Sequence, residues 1–552
     1  MTNPHDDYTS RGWLVATAAL AVLILVSFIP PIEAGGVSLR RASIIADLIS
    51  FDSDKATEVE QEAAPEINVA EFEVDLEQVA KQVAHTTATA SPFGEGTSAS
   101  WEGIFDEQPT GGEQATDDEP LPSLEALLKA DYSDILPADS LITSIEEFRG
   151  EEFDTPMHRL YEKLLAGRES VRVAFMGDSF VEGDILTADL RELLQDTFHG
   201  GGVGYAPIAS PFTGFRQTVK TTSKGWTPYN IMQRKNTPEP YVNDYFVSGW
   251  VARASDGATT RWDMVDKRRH LMECNRARLL FISREPSKII LTLNDGEERE
   301  FEFDGSDVVR QIVVEEEQIL SLEMRVESGA AGFTGIGADF DSKSGIGVDN
   351  FSVRSNNGQA MFWSSASVNA QIHSMRPYDL VILQYGLNIM QADRHNYSLY
   401  GEQVEKMVRY VESCFPGAAV LVMGVSDRSQ RNEQGIVPMT AAVDLTRAQR
   451  EAAEKCGVAF WNTYDAMQRL GGMTAFVEKG WAGKDYTHIN YAGGREIARQ
   501  LYYALLQGAE SYSEVLRARI EYSTPVISEP LPMIMPAPEP VTLQDSVITI
   551  ER

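Results

Sequence analysis

The chain has 552 residues, and its 82 acidic and 48 basic residues give a formal net charge of −34. A surface this acidic repels nucleic-acid phosphates and anionic lipid headgroups, which argues against both as partners, whereas a neutral glycan ester meets no such barrier. The three cysteines contain no CxxC pair, so they predict neither a disulfide framework nor a zinc site.

The first element is an uninterrupted apolar run, Trp13–Ile29, which a Pro-Pro pair ends. Its length suffices for a short membrane span, which needs about 17–25 residues. A cleaved signal peptide is the alternative, but Arg11 is the one basic residue before the run, and Ile32 stands where cleavage would need a small residue. An arginine pair after the span favours placing the chain that follows it in the cytoplasm, because positively charged residues tend to stay on that side. We expect an uncleaved, single-pass inner-membrane anchor, with residues 1–12 as a short tail and the catalytic domain in the periplasm.

The segments beside the folded core have biased compositions. Residues 30–120 comprise a membrane-proximal segment and an acidic stretch with few aromatic residues, from about Phe51 to Pro120. Such a stretch cannot bury enough apolar surface to offset the entropy lost on ordering, which predicts a disordered linker. Residues 523–552 are rich in proline and predict an extended tail.

The core between these segments has two kinds of pattern. Residues 121–212 and 348–510 alternate apolar runs, such as VRVAFM and DLVILQY, with amphipathic stretches. This alternation predicts a parallel sheet covered by helices on both faces. Residues 213–347 instead hold short strands separated by turn residues, such as KIILTLND and RQIVVEEE, which predict a β-sandwich or jelly roll. The predicted fold class is therefore α/β with an inserted β-sandwich.

Three polar motifs lie at predicted strand ends or before a helix. Ser179, in the sequence GDS, follows the strand RVAFM, at the end where open α/β sheets bind ligands. Asn388, in GLN, follows DLVILQY, and its side-chain amide can donate to an oxyanion. Asp485 and His488 lie three residues apart on a turn, so that the carboxylate can orient an imidazole whose other nitrogen faces a serine. Each motif alone also occurs in ordinary turns.

In this order the motifs resemble those of the GDSL/SGNH hydrolases, in which GDS matches the first block, GLN the third and DYTH the fifth. The resemblance implies a flavodoxin-like three-layer α/β/α fold. It also implies a catalytic triad of Ser179, His488 and Asp485, with no metal and no cofactor. An insertion between the first and second blocks resembles the arrangement of bacterial peptidoglycan O-acetylesterases, which carry a carbohydrate-binding-like module there.

The same resemblance implies an oxyanion hole made by Asn388 and a backbone N–H of the second block. In the stretch VDNFSVRSNNGQA, Ser355 stands where the family has glycine, and Gly358 is the nearest glycine. The sequence departs from the family again at Ile389, which replaces the second acid of the common Gly-x-Asn-Asp block. Since the hole needs only a backbone N–H at the second block, serine there does not exclude the function.

The family resemblance implies a serine esterase that hydrolyses small acyl groups, acetyl above all, from an envelope carbohydrate such as peptidoglycan. The expected partners are this acylated glycan and the membrane that holds the N-terminal helix. Two alternatives stay open. An O-acetyltransferase would use the same triad and would require a membrane acyl-transfer partner. A non-catalytic glycan-binding envelope protein would have no use for Asp485 together with His488.

Overall fold

The computed structural model describes residues 33–34, 37–38, 73–89, 98–101, 128–148, 154–167, 170–211, 216–265 and 268–523. The predicted anchor at residues 13–29, most of the predicted linker and the tail after Ser523 lie outside this set, so they stay predictions. No helix in the described part of the chain is long and apolar enough to cross a membrane.

The helices are α1 Leu76–Thr89, α2 Pro156–Ala166, α3 Thr187–Phe198, α4 Arg269–Met272, α5 Ala366–Met375, α6 Ser398–Cys414, α7 Ala441–Cys456, α8 Thr463–Arg469, α9 Gly472–Glu478 and α10 Tyr491–Ser523. The strands are β1 Glu33–Ala34, β2 Val37–Ser38, β3 Ser98–Trp101, β4 Ser170–Gly177, β5 Gly204–Pro207, β6 Val219–Asn230, β7 Trp250–Met264, β8 Arg276–Ser283, β9 Ser287–Leu293, β10 Glu298–Phe303, β11 Ser306–Glu315, β12 Ser321–Ser328, β13 Phe333–Asp341, β14 Gly345–Ser352, β15 Leu380–Gln384, β16 Ala419–Met423, β17 Ser429–Asn432, β18 Gly435–Pro438 and β19 Ala459–Trp461. Strands β1 and β2 pair antiparallel with each other in a unit of their own, which ends at Ala63.

Five parallel strands form the sheet that positions the predicted motifs. Their spatial order is β14-β4-β15-β16-β19, which in chain order reads 2-1-3-4-5, the order of flavodoxin-like sheets. Strands β15 and β16 are buried throughout and β4 nearly so, as their continuous apolar sequences predict for a sheet covered on both faces. Helices α2, α3 and α10 pack together as one group, and α5, α6 and α7 as another. The mixed α/β fold with a parallel sheet is confirmed.

The predicted β-sandwich is instead one curled, mainly antiparallel sheet of ten strands. One half has the order β6-β7-β12-β9-β10 and the other β5-β13-β8-β11-β3. The halves stay joined because the 15-residue strand β7 pairs with β12 through its second part and with β13 through its first. The sheet curls so far that the ring of Phe281 on β8 lies 5.1 Å from that of Phe303 on β10. Both halves therefore bury a single apolar cluster.

Part of the predicted disordered linker is ordered. Helix α1 packs on α5 and α6, where it buries Val79 and Val83, and the Thr86 hydroxyl lies 3.0 Å from that of Ser367. Strand β3, from the same predicted linker, pairs parallel with β11 at the edge of the curled sheet. The four-residue spacing of the valines gives α1 an apolar face that the acidic composition of the whole segment conceals.

A buried cluster of arginines and aspartates joins the two sheets. Arg172 on β4 bonds to Asp341 and Asp339 on β13, and the Asp339 contact measures 3.1 Å. Arg376, after α5, lies 2.9 Å from Asp339 and 2.5 Å from Asp349 on β14. Burial raises the pKa of Asp349, but the Arg376 guanidinium outweighs this and holds it at about 2. The insertion is therefore tied to the parallel sheet by buried, charged hydrogen bonds.

Candidate active site

The carboxyl edge of the parallel sheet brings the predicted motifs together. Ser179 lies two residues after β4, and Asn388 lies in the turn after β15, the neighbour of β4 in the sheet. His488 lies in the loop before α10 and faces the serine, with 3.3 Å between His488 Nε2 and Ser179 Oγ. Residues more than 300 positions apart thus meet at hydrogen-bonding distance.

The predicted orienting carboxylate also has the required geometry. Asp485 Oδ2 lies 2.7 Å from His488 Nδ1, and Asp485 Oδ1 accepts 3.1 Å hydrogen bonds from the backbone N–H groups of Thr487 and His488. Burial raises the pKa of Asp485, but these hydrogen bonds outweigh it and lower the pKa to about 2. An ionised carboxylate at Nδ1 favours the tautomer that carries its proton there, which leaves Nε2 able to accept a proton from Ser179.

The turn that presents Ser179 depends on its two preceding residues. A Cβ atom on Gly177 would lie 2.5 Å from Val181 Cγ2 and 2.9 Å from Gln384 Oε1, so a side chain there does not fit. Asp178 is completely buried, and its Oδ1 accepts a 2.8 Å hydrogen bond from the backbone N–H of Phe180. The close approach and the hydrogen bond together fix the turn and leave Ser179 partly exposed.

Asp178 is a site residue to which the sequence interpretation assigned no role. Its Oδ2 accepts a 3.1 Å hydrogen bond from Asn388 Nδ2, which also donates to the backbone carbonyl of Asn356 at 3.0 Å. Burial raises the pKa of Asp178 to about 7, although the hydrogen bonds from Phe180 and Asn388 lower it in part. The predicted oxyanion donor is thus held in place by a buried carboxyl group next to the nucleophile. The sequence signal for this role of Asp178 is its place within GDS, directly before the nucleophile.

The two second-block candidates differ in their surroundings. Ser355 is exposed and has a φ of 61°, in the left-handed region that glycine adopts readily. No hydrogen bond from its backbone N–H is found within the described part of the chain. Gly358 is buried, and its N–H donates to Asn356 Oδ1 at 2.9 Å. Both residues have a positive φ, 61° at Ser355 and 105° at Gly358, so the difference between them is that the N–H of Gly358 is already engaged.

A cavity of about 80 Å³ lies between the loop after β4 and the curled sheet. Its lining includes Trp250 on β7 and the ion pair of Glu182 with Arg354, whose Nε lies 2.9 Å from Glu182 Oε2. Glu182 and Arg354 lie three residues after Ser179 and one before Ser355, respectively. The triad residues themselves do not line this cavity. The described residues contain no cluster of side chains suited to hold a metal ion.

Comparisons with known proteins bear on the fold. No family model and no curated protein matches the chain. A solved structure described as a peptidoglycan O-acetylesterase in action is similar, with 22% identity, 68% of this chain and 99% of that chain covered, and a TM-score of 0.54. The lipase/acylhydrolase from Enterococcus faecalis aligns at 15% identity and a TM-score of 0.23, over 30% of this chain and 77% of its own. A family two carbohydrate esterase from Cellvibrio japonicus aligns at 9% identity and a TM-score of 0.23, over 53% and 98%.

The first of these similarities shows a shared fold. The chain has the mixed α/β architecture of a peptidoglycan O-acetylesterase, with a parallel sheet and a second, curled sheet. The predicted resemblance to peptidoglycan O-acetylesterases is confirmed at the level of the fold.

Proposed function

We propose that this chain is a serine esterase that removes acetyl groups from a cell-envelope glycan such as peptidoglycan. The observation that carries the proposal is the continuous line from Ser179 Oγ through the His488 ring to the Asp485 carboxylate, with contacts of 3.3 and 2.7 Å. The fold shared with a peptidoglycan O-acetylesterase supports acylated glycans as the substrate class. The apolar run Trp13–Ile29 would anchor the enzyme in the inner membrane, with its active site in the periplasm.

The proposed reaction begins when Ser179 Oγ attacks the carbonyl carbon of the ester while His488 Nε2 takes its proton. Asp485 stabilises the imidazolium that forms. The tetrahedral oxyanion accepts hydrogen bonds from the backbone N–H groups of Ser179 and Ser355 and from Asn388 Nδ2. For this, one amide hydrogen of Asn388 turns away from its present partner.

The oxyanion then collapses and the bond to the sugar oxygen breaks. The departing sugar hydroxyl receives the proton from His488, and the acetyl group stays on Ser179. A water molecule attacks this acetyl-enzyme, His488 takes the proton of the water, and acetate leaves as the proton returns to Ser179. Each proton that the imidazole accepts is thus returned within the same half-reaction.

The test is acetate release from O-acetylated peptidoglycan by the full-length protein. Ser179→Ala is expected to lower kcat by about 10³-fold or more, because catalysis would then come only from binding and the oxyanion hole. The control is Ser133→Ala, which changes an exposed serine and should retain wild-type activity. Ester hydrolysis by Ser179→Ala at a rate close to wild type would disprove the assignment of the nucleophile.

A further inference from the structure

Arg428 lies at the same edge of the sheet as the proposed catalytic residues. It follows β16, which is the neighbour of β15, and its loop is held at two points. The carbonyl of Arg428 accepts a 2.8 Å hydrogen bond from the N–H of Met439, and the N–H of Ser429 donates to the carbonyl of Tyr486 at 3.1 Å. Tyr486 directly follows Asp485. The loop that carries Arg428 is therefore bonded to the loop that carries Asp485 and His488.

The side chain of Arg428 is partly buried and interacts electrostatically with Asp485 and Tyr397. In the described part of the chain, however, its guanidinium makes no hydrogen bond and no ion pair within 4 Å. Both oxygens of Asp485 are already used, one by His488 Nδ1 and the other by two backbone N–H groups. Arg428 thus differs from the arginines of the cluster between the two sheets, each of which lies against a carboxylate.

A guanidinium carries five donors in a planar fork that matches the two oxygens of a carboxylate. Its position matters in this protein because the chain carries a net charge of −34, which repels anions from most of the surface. Arg428 has no ion-pair partner within 4 Å among the described residues and interacts electrostatically with Asp485 of the triad, so it can attract an anionic group to a surface that otherwise repels anions. A neutral acetyl ester has no need of it.

We propose that Arg428 is a specificity-determining residue that binds a carboxylate carried by the acetylated sugar. This inference rests on the proposed esterase function and adds a preference for acidic sugars to it. In peptidoglycan the group would be the lactyl carboxylate of a muramic acid residue whose stem peptide has been removed, because the peptide is otherwise amide-bonded to that carboxyl group. The acetyl ester would then lie at Ser179 while the carboxylate of the same sugar pairs with Arg428.

The first experiment compares kcat/KM of the full-length protein for 6-O-acetyl-N-acetylmuramic acid and for its carboxyl methyl ester. The wild type should prefer the acid. Arg428→Gln should reduce the acid-to-ester ratio by about 10- to 100-fold, the scale of one charge-assisted hydrogen-bonded pair, mainly through KM. Arg428→Lys should keep part of the preference, since it keeps the charge and loses the fork. Arg431→Gln, which removes an exposed arginine from the adjoining strand β17, should keep all of it.

An equal loss for both substrates would mean that Arg428 only positions Asp485, and it would overturn the proposal, as would an unchanged ratio. A second measurement requires no hydrolysis. Calorimetric binding of N-acetylmuramic acid and its methyl ester is compared between the Ser179→Ala protein and the same protein with Arg428→Gln added. Loss of the acid preference in the double variant supports the carboxylate site, even if the wild type proves unable to hydrolyse either ester. Retention of the preference overturns the proposal while leaving the esterase assignment intact.

Discussion

The buried carboxyl group of Asp178 makes the folded protein sensitive to pH. Its pKa is raised from 3.8 to about 7, chiefly because burial disfavours the charged form. The folded state therefore retains a proton that the unfolded state has already lost. Stability from this group is fully present below the unfolded pKa, near 4, and is lost as the pH rises through the folded pKa, near 7. Asp178→Asn removes this titration.

The size of the effect follows from the shift. About three pKa units at about 1.4 kcal/mol each amount to about 4 kcal/mol, of which about 3 kcal/mol falls between about pH 5 and pH 8. Wild type should lose this much unfolding free energy relative to Asp178→Asn over that interval. The quantity compared is the slope of unfolding free energy against pH, so a cost that does not change with pH has no effect on it. One such cost is the hydrogen bond lost because asparagine has a single acceptor oxygen for the two donors, Phe180 and Asn388.

Urea denaturation of both proteins, followed by tryptophan fluorescence at several pH values between these limits, measures the two slopes. A glutamine substitution at exposed Glu297 controls for the general effect of removing one negative charge. Parallel pH profiles for wild type and Asp178→Asn would show that Asp178 ionises at an ordinary pKa in the folded protein, and the reasoning from burial would be refuted.

The remaining predictions concern packing. Gly177→Ala should displace the turn that carries Ser179, because the added methyl group would collide with Val181. We expect acetate release to show a kcat lower by about 10-fold or more, and denaturation to show a loss of about 1–3 kcal/mol in unfolding free energy. Arg376→Met should cost about 3–5 kcal/mol, seen as a lower denaturation midpoint, because it leaves Asp349 buried without its cation. Val83→Asp should release α1, so that limited proteolysis cleaves within this helix. The parallel sheet should stay as resistant to the protease as in the wild type.

The parallel sheet and the placement of the motifs could be predicted because both depend on local sequence. Each apolar run ends where a polar motif begins, and the carboxyl ends of parallel strands meet at one edge of a sheet. Ser179 and Asn388 were therefore expected at the same edge of the sheet, and the pairing of β4 with β15 places them on neighbouring strands. The distances of the Ser179, His488 and Asp485 side chains, in contrast, depend on tertiary packing and are known only from the structure.

Other features could not be predicted because they depend on partners distant in the sequence. The pattern of short strands indicated a second β region, but the pairing of β7 with both halves decides that it forms one curled sheet. The role of Asp178 depends on its burial and on the amide of Asn388, 210 residues away. Helix α1 could not be predicted from composition, because the acidity of the whole segment conceals the apolar face formed by Val79 and Val83.

The buried arginine–aspartate cluster restricts how this protein can be re-engineered. Nine of the ten strands of the curled sheet form one continuous insertion, which begins after α3 and returns to the parallel sheet between Asp341 and Gly345, so it resembles a module that could be exchanged for another. Excising it would remove Asp339 and Asp341 and leave Arg172 and Arg376 buried with fewer counterions. Any transplanted module would have to supply matching carboxylates at the same positions. The two sheets therefore depend on each other for charge compensation, and we expect the cluster and the insertion to be gained or lost together.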